Sequence, residues 1–143
     1  MRVFKMKESA KLPTKNDNDM CYDLYASEYA QVRHGEVARV HTGLQIALPD
    51  GHHASLRSRS GLSYNHGVQV LGGQIDQSYR GEWMVIMTLA KDGAPLNIQV
   101  GDKIAQFKIE EDKSFPVEEV SSEAQLGETK RGKKGFGSSD SKG

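Results

Sequence analysis

The chain has 143 residues, enough for one domain of ordinary size with a real hydrophobic core. Nineteen Lys and Arg balance nineteen Asp and Glu, so overall charge predicts neither a nucleic-acid binder nor a membrane-surface protein, and any anion site must be a local arrangement. The single cysteine, Cys21, excludes an intrachain disulfide framework, and no apolar run approaches the length of a spanning helix. Met1-Arg2-Val3-Phe4 does not begin a signal peptide, and the expectation is a soluble protein of a reducing, cytoplasmic compartment (host-cell cytoplasm if the source is viral).

Strand alternation recurs along the chain while helical periodicity is scarce. "NDMCYDLYA" (18–26) is strand-like but holds Asp23, which reads either as an outward edge residue or as a ligand for a hard cation or its waters. Turns fall at Arg33-His34-Gly35, Pro49-Asp50-Gly51, Lys91-Asp92-Gly93 and Val100-Gly101-Asp102, about the spacing of small barrels and sandwiches. Leu44, Ile46 and Leu48 alternate with Gln45 and Ala47. His52-His53 has no third ligand at metal spacing and reads as a solvated pair. "RSRSGLS" (57–63) offers Arg59, Ser60 and the amide of Gly61, either a phosphate cradle or an ordinary surface turn, with one helical turn over Leu62 to Asn65.

"GGQIDQSYRGEW" (72–83) lies between Val68, Val70 and Leu71 on one side and Trp83, Val85, Met87 and Leu89 on the other, the pattern of a hairpin. Its tip carries an acid (Asp76), an aromatic (Tyr79) and a guanidinium (Arg80), with Gly73 and Gly81 as places where another backbone comes close. "GDKIAQF" (101–107) then enters a strand in which Ala105, Phe107 and Ile109 alternate with polar residues, Gln106 facing away from the apolar side. The fold class is all-β, a jelly roll or distorted barrel.

From Ser121 to Gly143 only Ala124, Leu126 and Phe136 are apolar, too little to offset the ordering entropy. The expected division is a barrel domain over 1–120 and a flexible arm over 121–143. Composition alone describes a disordered tail. "RGKKGFGSSD" also combines cations, a lone Phe and a Gly/Ser run that suits an anion. The interleaved glycines fit a phosphate-binding tail better than a nuclear-localisation patch.

In this order and spacing these stretches resemble the five motifs of the trimeric deoxyuridine triphosphatases (dUTPases): "CYDLYA", "SRSGLS", "GGQIDQSYRGE", "VGDKIAQF" and "RGKKGFGSS". The resemblance covers about residues 10 to 139. It implies hydrolysis of dUTP to dUMP and pyrophosphate with Mg²⁺, which limits uracil in DNA and supplies dUMP for dTMP synthesis. It also implies a homotrimer in which each active site takes motifs from three chains. By resemblance Asp76 is the general base for the attacking water and Tyr79 packs on the deoxyribose, leaving no room for a 2′-hydroxyl. Uracil is read by main-chain groups of Gly73, Gln74, Ile75 and Met84, while Arg59, Ser60, Gly61 and Gln106 hold the phosphates. Asp23 holds the Mg²⁺ through water, and Arg131, Phe136, Gly137, Ser138 and Ser139 close over the nucleotide, with Phe136 on the uracil.

The chain departs from the family pattern at Met20 and Cys21, where small residues are usual, at Gln74, usually Val, and at Ser138-Ser139-Asp140, usually Ser-Thr-Gly. A dCTP deaminase is the nearest rival, but that family carries a Glu base and a Trp-Gly run where this chain has Asp76 and Tyr79. A regulatory, protein-binding relative on the same fold is a second rival. Intact Asp76, Arg59 and Phe136 argue against lost activity and are compatible with an added protein partner.

Overall fold

The computed structural model describes residues 1–137. Among them the chain forms β1 (Arg2–Lys5), β2 (Tyr22–Tyr25), β3 (Ala30–Val32), β4 (Ala38–His41), β5 (Leu44–Ala47), β6 (His52–Arg57), β7 (Val68–Val70), β8 (Gln74–Ile75), β9 (Met84–Leu89), β10 (Leu96–Ile98) and β11 (Lys103–Glu111), with one helix α1 (Ser60–His66) and a 3-10 turn at Glu123–Leu126. The strands pair antiparallel in four small sheets ordered β1-β5, β10-β3, β2-β11-β6-β8 and β4-β9-β7. The fold is all-β and of jelly-roll type, without one continuous closed barrel. Every strand of the described residues belongs to a compact unit, Met1–Asp112; a second unit begins at Lys113, ahead of the compositional change at Ser121.

Alternation produces the core directly. Leu44, Ile46 and Leu48 are all buried while Gln45 and Ala47 are half-buried. Trp83 and Phe107 meet edge-to-face with centroids 5.1 Å apart, and Tyr22 stacks on Phe107 at 5.2 Å. Side chains of this size contribute about 1.5–3 kcal/mol each when buried, so the Trp83–Phe107 pair anchors the end of the hairpin to β11.

Two local expectations are modified. The helical turn extends over seven residues and ends at Gly67, whose left-handed φ of 70° lets its N–H cap Leu62 and Ser63 carbonyls; a Cβ there would meet the Lys91 backbone nitrogen at 2.8 Å. The hairpin is real, β7 pairing β9 from Val68↔Leu89 to Val70↔Met87, but its tip crosses to the neighbouring sheet, where β8 pairs β6 through Ala54↔Ile75 and Ser55↔Gln74. Gly73 makes the crossing. Its φ is +86°, its carbonyl accepts the Leu56 N–H at 2.7 Å, and a Cβ would stand 2.8 Å from the Leu56 carbonyl oxygen.

Candidate active site

The crossing tip encloses a cavity of about 250 Å³ lined by Gly73, Gln74, Ile75, Asp76, Tyr79 and Met84, six of the residues expected to bind or act on a nucleoside. Leu56, Val70, Leu71, Trp83 and Ile86 supply an apolar wall, and Arg39 and Glu82 supply charge. Asp76 is exposed at its rim. Tyr79 donates its hydroxyl to the Glu82 carbonyl at 3.1 Å, which pins the ring although it is 42% exposed. Arg80 is spent on the tip itself, donating to the Gln77 and Tyr79 carbonyls, while its own carbonyl accepts from Gln45. Gly81 does not admit a second backbone. It makes room for the Tyr79 ring, which a Cβ would overlap.

Glu82 was not singled out by the sequence, yet it clamps the end of the tip. Its Oε1 accepts the Gly43 N–H at 2.9 Å, and its Oε2 stands 3.0 Å from His41 Nδ1. Beside it Thr42 Oγ1 donates to the Trp83 carbonyl and Trp83 N–H to Leu44 O. No periodicity signals these contacts, because they join residues some forty positions apart.

A second cavity of about 370 Å³ gathers the first, second and fourth motifs: Asp23, Arg59, Gln106 and, unanticipated, Lys103, together with Asn16, Asp19, Met20 and Cys21. Asp23 faces Gln106 across the β2–β11 ladder. Its Oδ1 accepts from Arg59 Nε at 3.1 Å and its Oδ2 lies 2.8 Å from Lys103 Nζ. This carboxylate raises the Lys103 ammonium above its ordinary value, mainly through the hydrogen bond and then by direct attraction. Gln106 donates to the Ser58 carbonyl at 3.1 Å. Ser60 and Gly61 line neither cavity; they open α1, where first-turn N–H groups have no helical acceptor. The Cα of Gly61 faces open space, so protein packing does not explain a glycine there.

The two cavities share no lining residue. The first has the shape and apolar wall for a base and sugar; the second has cations and amide groups for an anion. Among the described residues no three His, Cys, Asp or Glu side chains form a metal cage. A single carboxylate suits a hard cation that keeps its waters.

In the second unit Arg131 donates through Nε to the Lys134 carbonyl, and Phe136 is fully exposed with φ 51°, a left-handed backbone unusual for an aromatic, next to Gly137 at φ 79°. Ser138 and Ser139 lie outside the described residues.

A family model described as dUTPase matches residues 7–140. The deoxyuridine 5'-triphosphate nucleotidohydrolase of Clostridium tetani is 39% identical over 141 residues, 96% of this chain and 94% of that one, and the Helicobacter pylori protein of the same name is 37% identical over 96% and 94%. A solved dUTPase of Staphylococcus bacteriophage 80alpha with dUpNHpp shares the fold at a TM-score of 0.84 and 24% identity over 96% of each chain. The crossing tip with its acid and tyrosine, the separate cationic cavity and these relatives together place the chain in the dUTPase family.

Proposed function

We propose that this chain hydrolyses dUTP to dUMP and pyrophosphate as a homotrimer, each site combining the tip cavity of one subunit with the cationic cavity of another. The observation that carries the reading is the separation just described: the cavity lined by Asp76 and Tyr79 and the cavity lined by Asp23, Arg59, Lys103 and Gln106 occur on the same chain and share no lining residue. A second subunit brings them face to face. A third supplies Arg131, Phe136, Gly137, Ser138 and Ser139 over the nucleotide.

In this reading main-chain groups at Gly73, Gln74, Ile75 and Met84 pair with the uracil edge, and the Tyr79 ring meets the face of the deoxyribose. Asp76 orients a water and accepts its proton as the water oxygen attacks phosphorus; the bond between the α and β phosphates breaks, and pyrophosphate leaves. Arg59, Ser60, Gly61 and Gln106 hold the phosphates. Asp23 holds the waters of a Mg²⁺ that, when bound, neutralises charge on the triphosphate. No covalent intermediate is needed, so positioning and charge neutralisation supply most of the rate. The test is pyrophosphate release from dUTP, dCTP, dTTP and UTP. Release from dUTP alone supports the assignment, and comparable release from dCTP overturns its specificity.

A further inference from the structure

Asp23 holds two cations, Arg59 on one oxygen and Lys103 on the other, at 3.1 Å and 2.8 Å. Lys103 reaches it by an irregularity of β11. Residues three apart on a regular strand point to opposite faces, so Lys103 and Gln106 would not share one. The register shift between Lys103 and Ala105 inserts an extra residue, turns both Ile104 and Ala105 into the core, and brings Lys103 to the same cavity as Gln106. A lysine only half covered ordinarily spreads into water, because a fixed rotamer costs entropy and an exposed pair returns little. The bulge and the carboxylate hold this one in place.

The charges in the cavity explain the arrangement. Asp19 and Asp23 balance Arg59 and Lys103, and the Asp19 carboxylate also accepts from Asn16 Nδ2 at 2.9 Å. A set whose charges cancel draws a triphosphate less strongly than the same cations would once released from their carboxylate. We propose that Lys103 is a further triphosphate-binding residue, kept by Asp23 in the empty site and transferred with Arg59 to phosphate oxygens when nucleotide enters. Asp23, relieved of both, then turns to the waters of the accompanying cation. This rests on the function proposed above and adds a residue and an exchange to it.

The experiment is calorimetric binding of dUMP and a non-hydrolysable imido analogue of dUTP to full-length wild type, K103Q, K103R and D23N, in EDTA and in Mg²⁺, with melting temperatures as a check on folding. K103Q should bind the triphosphate analogue about tenfold more weakly in both buffers while dUMP binding stays within about twofold, and K103R should recover most of the loss. D23N should bind the analogue more tightly than wild type in EDTA and more weakly in Mg²⁺, because it removes a competitor in the first case and a partner in the second. Wild-type affinity in K103Q, an equal loss for dUMP and the analogue, or weaker binding by D23N in EDTA each overturns the exchange. A wild-type protein that fails to hydrolyse dUTP removes instead the reading on which the exchange rests.

Discussion

Tyr79 lies over the backbone of Gly81, so that a Cβ on Gly81 would run into the tyrosine ring, with Cε1 2.9 Å away. Gly81 has no left-handed φ, and alanine fits its backbone without strain. Gly81→Ala should therefore leave the core and melting temperature nearly unchanged while displacing the ring. The expected result is a raised KM for dUTP and a narrower preference over UTP, with roughly 1–3 kcal/mol of transition-state binding lost. Steady-state kinetics with both nucleotides measure this, and an unchanged dUTP/UTP ratio would show that the sugar is sensed elsewhere.

Asp76→Asn keeps the side-chain shape at an exposed position that supports no core contact. Binding of the imido analogue should persist while turnover falls by a factor of about 10² or more. Near-normal turnover in this variant removes Asp76 from the chemistry.

Deleting everything after Leu126 removes Arg131, Phe136 and the serines beyond, but no strand of the described residues. Thermal stability should hold and dUTP hydrolysis should collapse, because an open site admits water and holds the triphosphate loosely. In the intact chain the imido analogue with Mg²⁺ should protect this segment from protease more than dUMP does. Full activity in the truncated protein removes the segment from the mechanism.

His53 is raised above its ordinary value of 6.5, chiefly by its hydrogen bond to Asp112 and further by Glu110. A raised histidine contributes stability that is complete below 6.5 and lost as pH climbs through its folded value. Glu110, lowered mainly by Lys108, contributes in the opposite sense: its share is present above 4.5 and lost as pH falls through its folded value. The His53 share of the melting temperature should thus decline as pH rises above 6.5 through its folded value. His53→Gln should flatten that decline and keep the larger part of the acid limb, which Glu110 owes to Lys108 before His53; an identical profile for the variant would show that His53 gains nothing from its two carboxylates.

The parts of the fold that repeat were readable from the residues, and those that occur once were not. Leu44, Ile46 and Leu48 announce a strand because their spacing matches the pleat. Gln74–Ile75 is too short for any period, so its departure to β6 depends on the turn at Gly73 and on a partner nineteen or more positions away. The bulge in β11 hides in the same way: Ala105, Phe107 and Ile109 look regular, and Ile104 beside them does not reveal that it is also buried. At the site, Asp76 and Tyr79 stood out because they share one short tip. Glu82 and Lys103 did not, since their significance comes from Gly43, His41 and Asp23, which only folding brings near. Ser60 and Gly61 were readable only from their residue types and the family resemblance, and in the single chain they line neither cavity.

Two cavities on one chain also make defects in them genetically separable. A chain damaged at Asp76 still carries a sound cationic cavity, and one damaged at Arg59 still carries a sound tip. Unfolded together and refolded as mixed trimers, the two dead variants should complement each other, with about a quarter of the sites pairing one intact half with the other under random assembly. In the proposed trimer with shared sites, a single poisoned subunit harms sites beyond its own, so an inactive copy expressed alongside the native one should behave as a dominant inhibitor. Mixing the variants as preformed trimers, without subunit exchange, should restore nothing.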